Sequence, residues 1–393
     1  MKTEKKGERI HCRVVLPLLI AGALLIAAFS TGSPVFLTGA ALIVLLCLAS
    51  VAGVMMASAT MTVSGGLSQP VVHRGEKVTL EVTLHYRSLI PVAPLLVEMG
   101  PGVDQDNRAM LVDAASGQPV AFELPCHAAH VGVLQPGVEA VTVTDLFGIC
   151  SRRVAPHREG SGLLVLPQPF EVGPQVYTAG DSGSESMARA SEDVTSPADV
   201  RAWQTGDPMR KIHWKLSARK QELMVRRYEA PVMPDALILL DCAEPPRQAG
   251  LEAMLDVKDA LLETAASIMA ESARTEHPAR LPLLGRHPIE LDKGMGMPAV
   301  LESLAHVDFS AGEPFESVLH LEMRRMRKVG STIVITARLN SRMVDAMRSM
   351  RRMGPYVRLY LVTFTPEDAA LLPMISRLQN AGVEVCYVTP MPM

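Results

Sequence analysis

The chain has 393 residues, of which 48% are hydrophobic and 20% charged, and its formal net charge at pH 7 is -3. This length exceeds what one hydrophobic core usually serves, so we expect two or three folded units. The slightly acidic balance excludes a globally basic nucleic-acid-binding protein, although it is compatible with local basic patches.

The N-terminal region contains no charged residue between Arg13 and Arg74. Two apolar runs lie in this window, residues 14–29 and residues 35–59. A helix rises about 1.5 Å per residue and the hydrocarbon core is about 30 Å thick, so the second run is long enough to cross a membrane and the first is near the lower limit. We predict that residues 14–59 form two transmembrane helices, since buried helices of a soluble core normally keep a polar stripe.

Residues 1–13 form a basic start ahead of these helices. The charges in it are Lys2, Lys5, Lys6, Arg9 and Arg13, against Glu4 and Glu8. The positive-inside rule places this end in the cytoplasm, and two crossings return the rest of the chain there. We therefore expect a multi-pass protein of the inner (plasma) membrane with cytoplasmic soluble domains. A cleaved signal peptide is the rival interpretation, but its candidate cleavage site, residues 57–59, follows a full second span.

The six cysteines are scattered along the sequence. They are Cys12, Cys47, Cys126, Cys150, Cys242 and Cys386. Their positions form no metal-ligand spacing. Their small number and wide dispersion argue against a disulfide framework, which agrees with a reducing compartment.

Residues 60–170 show the two-residue period of β-strands. Residues 78–86 alternate apolar and polar side chains as a half-buried strand does, and residues 138–144 show a similar, less regular pattern. Pro-Gly pairs at Pro101 and Pro136 supply turns between strands. We predict an antiparallel β-sandwich, because no long amphipathic helix interrupts this stretch.

Residues 171–199 differ in composition from both flanking regions. From Gly180 onward they are small, acidic and nearly free of large apolar groups. This composition is typical of an exposed linker or lid. We predict an acidic flexible linker that leads into the last domain, residues 200–393.

The last domain has the pattern of an α/β fold. We predict strands at residues 236–240, 332–336, 356–363 and 383–388, and helices at residues 251–274, 341–353 and 366–379. Continuous apolar runs are typical of strands buried on both faces. Strands that alternate with helices indicate βαβ units and a mainly parallel sheet.

Residues 200–229 form the densest segment of the chain and combine cations with aromatic side chains. They contain eight lysines or arginines against three carboxylates, together with both tryptophans, Trp203 and Trp214. Three interpretations are open. The aromatic residues pack in a core while the arginines pair with carboxylates, the segment binds phosphate or nucleic acid, or it docks an acidic partner.

This segment resembles the signature of a bacterial family known as domain of unknown function 58, approximately R-x-Y-x-x-G-D-x-x-R-x-I-H-W-x-x-S-A-R with a basic-Tyr-Glu ending. The matching residues are Arg201, Gly206, Asp207, Arg210, Ile212, His213, Trp214, Lys215, Ser217, Ala218, Arg219, Leu223, Arg227, Tyr228 and Glu229. Trp203 stands where the family usually has Tyr. Upstream, residues 144–148 are similar to the family's D-P-F-G turn, with Leu146 in place of Pro.

The resemblance extends to the layout of nearly the whole chain. It implies a membrane protein whose C-terminal part is similar to a von Willebrand factor A domain. Members of the family are associated with MoxR-type AAA+ ATPases and transglutaminase-like membrane proteins, which implies an accessory or assembly role. The interaction motif that it marks consists of Arg201, Trp203, Gly206, Asp207, Arg210, His213, Trp214, Lys215, Ser217, Arg219, Arg227 and Tyr228.

A von Willebrand factor A domain can carry a metal site after its first strand. The site needs D-x-S-x-S, because an Asp and two hydroxyls supply hard oxygen ligands for Mg²⁺. Here Asp241 is followed by Ala243 and Pro245, which offer no side-chain oxygen, and Arg338 stands where a later ligand Asp would be expected. We predict a degenerate site at Asp241 that holds no metal, and we expect no cofactor.

Two functions from different classes follow from these patterns. We expect a membrane-anchored, non-enzymatic interaction or assembly protein that works with a MoxR-type AAA+ ATPase. The alternative is an enzyme acting on a phosphorylated or cell-envelope substrate, with His213 and Asp207 as acid-base candidates. No catalytic set stands in a recognisable motif, and nucleic-acid binding ranks last because the overall charge is negative.

Overall fold

The computed structural model describes residues 10–104, 107–155, 162–176, 197–203, 209, 212–228, 235–245, 250–283, 287–291, 296–309, 314–324 and 329–392. The chain divides into two compact units, and the boundary lies between Pro167 and Gln168. Each unit has its own sheets and its own hydrophobic core.

The first unit begins with the short strand β1 (Ile10–Cys12) and two apolar helices, α1 (Val15–Thr31) and α2 (Pro34–Ala59). Gly32 takes a left-handed φ of 67° and ends α1, and Pro34 stands at the start of α2, where its missing N–H is not needed. By length and hydropathy α2 is able to cross a membrane, and α1 is a shorter apolar helix. The predicted N-terminal pair of apolar helices is confirmed.

The remainder of the first unit consists of β-strands. They are β2 (Thr62–Leu67), β3 (Val71–His73), β4 (Lys77–His85), β5 (Leu95–Met99), β6 (Ala109–Val112), β7 (Val120–His127), β8 (Gly132–Leu134), β9 (Val138–Thr144), β10 (Cys150–Val154) and β11 (Leu163–Leu166). In the described residues they form a five-stranded sheet β1-β10-β9-β5-β6 and two three-stranded sheets, β2-β4-β7 and β3-β11-β8. The pairs are antiparallel, apart from the parallel pair of β3 and β11. The predicted antiparallel sheet structure of this region is therefore present.

The core of this unit joins the strands to the last turns of α2. Val54 and Ala57 of α2 are buried in the same cluster as Leu84 of β4. Gly53 allows the close approach of the helix to the loop between β4 and β5, since a Cβ there would lie 3.1 Å from the side chain of Ile90. The C-terminal part of α2 is thus a core element of the β unit.

Cys12 on β1 and Cys150 on β10 are directly paired in the strand register, and they are joined by a disulfide bond. Nothing in the sequence predicts this bond, because the two residues are separated by 138 positions and only the folded sheet brings them together. The free cysteines among the described residues are Cys47, Cys126, Cys242 and Cys386.

The second unit is an α/β fold preceded by a two-stranded sheet. Its elements are β12 (Pro197–Ala202), α3 (Trp214–Lys220), β13 (Met224–Tyr228), β14 (Asp235–Leu240), α4 (Leu251–Arg274), β15 (Ala279–Leu281), β16 (Ile289–Leu291), α5 (Met297–Ala305), α6 (Phe315–Met323), β17 (Val329–Thr336), α7 (Ser341–Arg352), β18 (Tyr356–Val362), α8 (Leu372–Gln379) and β19 (Glu384–Val388). A six-stranded sheet has the order β16-β15-β14-β17-β18-β19. Its pairs are parallel except for the antiparallel pair of β15 and the edge strand β16. The prediction of a mainly parallel sheet is confirmed.

One predicted helix begins later than the sequence pattern indicates. The pattern favours a helix over residues 366–379, whereas α8 begins at Leu372. Asp368 explains the difference, because its carboxylate accepts from the amide of Ala370 and its carbonyl accepts from the amides of Leu371 and Leu372. These bonds hold the preceding residues in a turn.

Candidate functional site

The signature segment folds as two antiparallel strands with a short helix between them. β12 and β13 pair with Arg201 opposite Val225. Ile212, just before α3, also forms a bridge to Val225, and the amide of Trp203 donates to the carbonyl of Leu223 at 2.7 Å. The helix is therefore fastened to the strand that follows it.

His213 caps the N-terminus of α3. Its Nδ1 atom accepts a hydrogen bond from the amide of Leu216 at 3.2 Å, and its own amide donates to the carbonyl of Met224 at 2.8 Å. An N-cap satisfies a backbone donor that the helix itself leaves unpaired. Since Nδ1 accepts here, the neutral ring in this arrangement carries its proton on Nε2.

Ser217 fixes the inner face of the helix. Its side chain is buried, and Oγ accepts from the amide of Met224 at 2.8 Å and lies 3.4 Å from the carbonyl of the same residue. Ile212, Met224 and Val225 are buried around this contact. Ser217 therefore holds α3 against β13 by hydrogen bonds to the backbone.

The outer face of α3 carries an exposed aromatic ring beside two cations. Trp214 is 63% exposed, and Lys215, Ala218 and Arg219 are also exposed. Positions four apart are neighbours on a helix, so Lys215 and Arg219 form a like-charged pair next to Trp214. We call Trp214, Lys215, Ala218 and Arg219 the α3 face.

The structure places nine of the twelve residues of the predicted motif in or beside this unit. His213 directly precedes α3, and Trp214, Lys215, Ser217 and Arg219 belong to it. Trp203 directly follows β12, and Arg201, Arg227 and Tyr228 lie on the paired strands. Gly206, Asp207 and Arg210 lie outside the described residues. The predicted acid-base pairing of His213 with Asp207 therefore also lies outside the described residues.

A second polar cluster lies beside β14, the strand on either side of which the strand order of the main sheet runs in opposite directions. From β14 the chain passes to β15 and β16 on one side and then to β17, β18 and β19 on the other. In open α/β sheets the crevice at the carboxyl ends of the strands at such a switch point is the usual place for a ligand. Asp241 directly follows β14, and Thr336 ends β17, so both residues lie at this position.

Asp241 is 2% exposed and has partners for both carboxylate oxygens. It accepts from Thr336 Oγ1 at 2.8 Å, from the guanidinium of Arg338 at 3.1 Å and from the amide of Ala243 at 3.2 Å. Its own amide donates to the carbonyl of Ile335 at 2.9 Å. The positive charge that faces this carboxylate is thus carried by Arg338, a residue of the same unit.

The residues at the switch point do not fit a Mg²⁺ ion. A terminal nitrogen of Arg338 lies 3.1 Å and 3.4 Å from the two oxygens of Asp241, where a ligated cation would be repelled. Mg²⁺ also requires several oxygen ligands in octahedral geometry. At this point Asp241 and Thr336 are two side chains with oxygen atoms that could bind the ion. Arg338 stands where a third oxygen ligand would be needed.

A third polar network, which the sequence did not predict, links β18 to β19. Arg358 is almost fully buried and donates to Glu384 at 2.5 Å, and the hydroxyl of Tyr356 donates to the same carboxylate at 2.6 Å. Burial alone would raise the pKa of Glu384, but the hydrogen bonds from Tyr356 and Arg358 outweigh it and hold that pKa below its ordinary value. Arg358 also donates to the carbonyl of Pro174 at 3.2 Å. The network therefore stabilises the edge of the sheet.

Residues 199–379 match the model of a family described as "Protein of unknown function DUF58". This segment, just under half of the chain, contains α3, the switch point and most of the α/β fold. The match confirms the resemblance to this family that the signature predicted. No match was found among curated proteins.

The solved structures that were compared show only distant similarity. A GH20 exo-β-N-acetylglucosaminidase from Vibrio harveyi, in complex with N-acetylglucosamine, has 8% identity and a TM-score of 0.20, with 82% of this chain and 59% of that chain covered. An inactive mutant of that enzyme has 9% identity and a TM-score of 0.19, with the same coverage of both chains. Cwp6 from Clostridium difficile has 9% identity and a TM-score of 0.15, with 83% of this chain and 49% of that chain covered. This chain thus spans 59% of the first of these structures. Scores this low carry no argument about fold or function.

Proposed function

We propose that the protein is a membrane-anchored, non-enzymatic interaction or assembly protein that presents the α3 face to a partner. The observation that carries this proposal is the exposed indole of Trp214 beside Lys215 and Arg219 on α3. His213 caps this helix, and Ser217 holds it against β13. Tryptophan and arginine are enriched among the residues that dominate binding energy at protein interfaces. A rigid helix also loses little conformational freedom when it binds.

The charge of the α3 face indicates an acidic partner surface. Lys215 and Arg219 repel each other at a spacing that destabilises an isolated helix by about 0.2–0.5 kcal/mol. A carboxylate of the partner placed between them would remove this repulsion, and complementary charge would also steer the encounter. The acidic-partner interpretation is therefore favoured over core packing, because the charged positions of α3 face solvent.

The local bonds of His213 and Ser217 support this role over the enzymatic alternative. Nδ1 of His213 and Oγ of Ser217 both serve backbone groups of the same supersecondary unit. A general base needs a free lone pair directed at the proton that it removes. We accordingly infer no catalytic residue in the described part of the motif.

We extend the proposal to the partners and domain types that the DUF58 family implies. The partner of the α3 face is a MoxR-type AAA+ ATPase, and a transglutaminase-like membrane protein belongs to the same assembly. The α/β fold is a von Willebrand factor A-like domain, with Arg338 facing Asp241 where such a domain can hold a metal. The strand-rich unit is a β-sandwich.

We further propose that both α1 and α2 cross the membrane. β1 precedes α1 and pairs with β10, which follows α2, so both ends of the helical hairpin lie on one side. The number of crossings is then even. Because α2 is long enough to span, α1 also crosses, and its 17 residues cover about 25 Å.

The charges of residues 1–13 favour a cytoplasmic placement of the folded domains, and one observation opposes this placement. Five cations against two carboxylates in residues 1–13 favour the cytoplasm for β1 and the domains that follow. The disulfide between Cys12 and Cys150 opposes this placement, because such bonds are rare in the reducing cytoplasm. We give the charge pattern more weight, since strand register alone is enough to bring the two sulfur atoms together.

Co-purification from detergent-solubilised membranes tests the docking role. Trp214→Ala and the double change of Lys215→Glu and Arg219→Glu are expected to lose the AAA+ ATPase from the purified complex. Arg352→Glu, an exposed residue of α7 in the same unit, makes the same kind of charge reversal elsewhere and is the matched control. Unchanged partner recovery with both α3 variants would overturn the proposal.

A further inference from the structure

The turn between β9 and β10 exposes two large apolar side chains next to each other. Leu146 is 56% exposed and Phe147 is 64% exposed. They occupy the centre of residues 145–148, which we call the interface turn. Two adjacent exposed apolar side chains at the tip of a turn offer an apolar surface that a membrane or a partner could cover.

The interface turn is held rigidly by the buried carboxylate of Asp145. This carboxylate accepts from the amide of Phe147 at 3.1 Å and from the amide of Cys150 at 2.7 Å. The amide of Gly148, which has a φ of 67°, donates back to the carbonyl of Asp145 at 3.1 Å. The exposure of Leu146 and Phe147 is therefore built into the turn.

The interface turn lies where the helical hairpin meets the β unit. Ser50 of α2 donates its hydroxyl to Asp145, and the amide of Arg13 donates to the carbonyl of Ile149 at 2.7 Å, two residues before α1 begins. Residues 34–50 of α2 equal the 17 residues of α1 in number, so the two helices are level at Ser50.

The burial of α2 changes at the same level. Before Ser50, Leu42, Leu45 and Leu48 are exposed, whereas Val54 and Ala57 beyond it are in the core of the β unit. An apolar helix surface without protein contact needs lipid, and a buried one does not. The membrane surface therefore lies near Ser50, beside the interface turn.

We propose that Leu146 and Phe147 insert into the boundary between lipid headgroups and acyl chains, as a shallow anchor of the β unit in addition to the two spans. This inference rests on the proposed crossing of α1 and α2. The occupant is lipid because the tip is continuous with the point at which the hairpin enters the bilayer. Arg13 is exposed at the same level and supplies a cation for anionic headgroups.

Depth-dependent fluorescence quenching tests this proposal on the full chain in vesicles. Trp203→Phe and Trp214→Phe remove the native tryptophans, and Phe147→Trp then places one indole at the tip. The vesicles contain phosphatidylcholine and phosphatidylglycerol, with bromine atoms either near the headgroup or deep in the acyl chain. Leu25→Trp in α1 is the deep reference, and Val133→Trp is the aqueous reference. Val133 on β8 is 55% exposed. The sheet of β8 packs against Val78 and Cys126, at the end of β4 that is opposite to Leu84 and the contact with α2.

We expect shallow bromines to quench the indole at position 147 more than deep ones do. Leu25→Trp should be quenched by deep bromines, and Val133→Trp by neither kind. Quenching at position 25 without quenching at position 147 would overturn the lipid contact of the turn while the spans stand. Absence of quenching at position 25 would overturn the crossing itself and, with it, the anchor.

Discussion

The guanidinium of Arg338 lies 3.1 Å from the buried carboxylate of Asp241, at the switch point of the strand order in the main sheet. Thr336 donates to the same carboxylate from the neighbouring strand end. The cation that faces Asp241 is thus a covalently attached side chain, which cannot dissociate as a bound metal ion can.

Arg338→Met is expected to destabilise the α/β fold by about 2–3 kcal/mol, because it leaves Asp241 buried without its charged partner. Unfolding in urea, followed by hydrogen exchange of the β14 and β17 amides, measures the loss. Arg342→Met is the control, since Arg342 is an exposed position of α7 and such changes usually stay within about 0.5 kcal/mol. Equal protection in both variants would show that the pair does not stabilise the switch point.

Glu384→Gln is expected to reduce the protection of β18 and β19 at neutral pH, because Arg358 then loses its charged partner. The pKa of Glu384 is lowered from 4.5, so its stabilising effect is complete above that value and is lost as the pH falls through the lower, folded-state pKa. Wild type and variant should therefore differ at pH 7 and converge in acid. Hydrogen exchange compared at each pH measures this difference.

The matched control for this pH dependence is Glu367→Gln. Glu367 is an exposed carboxylate in the turn before α8. Its replacement should leave the exchange of β18 and β19 at the wild-type rate throughout. A difference between wild type and Glu384→Gln that persists undiminished in acid would contradict the ionic origin of the effect.

His213→Ala should loosen α3 by about 1 kcal/mol, the usual contribution of a side-chain N-cap, and should weaken partner recovery. His213→Asn restores a capping oxygen and should recover both the exchange protection of α3 and the partner. An acid-base role would give a different result, because asparagine cannot transfer the proton. Loss of cellular function in a well-folded His213→Asn variant would favour the enzymatic alternative.

Cys12 and Cys150 report the side of the membrane. With the proposed cytoplasmic placement, both thiols should be reduced in growing cells and should crosslink when an oxidant is added, because the strand register holds them opposite each other. Trapping with a polyethylene-glycol maleimide measures their state, and Cys12→Ser identifies the band. A bond already present in untreated cells would place the β unit outside the cytoplasm.

The elements that the sequence predicted well are those with long, uniform patterns. α2 and α4 are long helices, and β14, β17 and β18 are apolar runs buried on both faces, so composition alone indicates their type. β15 and β16 have three residues each and α5 has nine, which is too short for a period to be recognised. The signature motif was located by resemblance, and not by any period.

The parts of the site that the sequence could not predict depend on contacts between distant residues. The capping role of His213 depends on a ring rotamer, and the buried network of Arg358 and Glu384 depends on strand register. Arg338 was expected near Asp241 from its position after a strand, yet only the folded sheet shows the two in contact. The bond of Ser50 to Asp145 likewise joins residues 95 positions apart.

The passage of α2 from its exposed N-terminal half into the core of the β unit has a mechanical consequence. Its 26 residues form one helix, Val54 and Ala57 are locked among the strands, and β2 begins three residues after the helix ends. A helix without a break has no hinge, so it behaves as a lever arm. Any tilt imposed on its exposed half would therefore turn the β unit by the same angle.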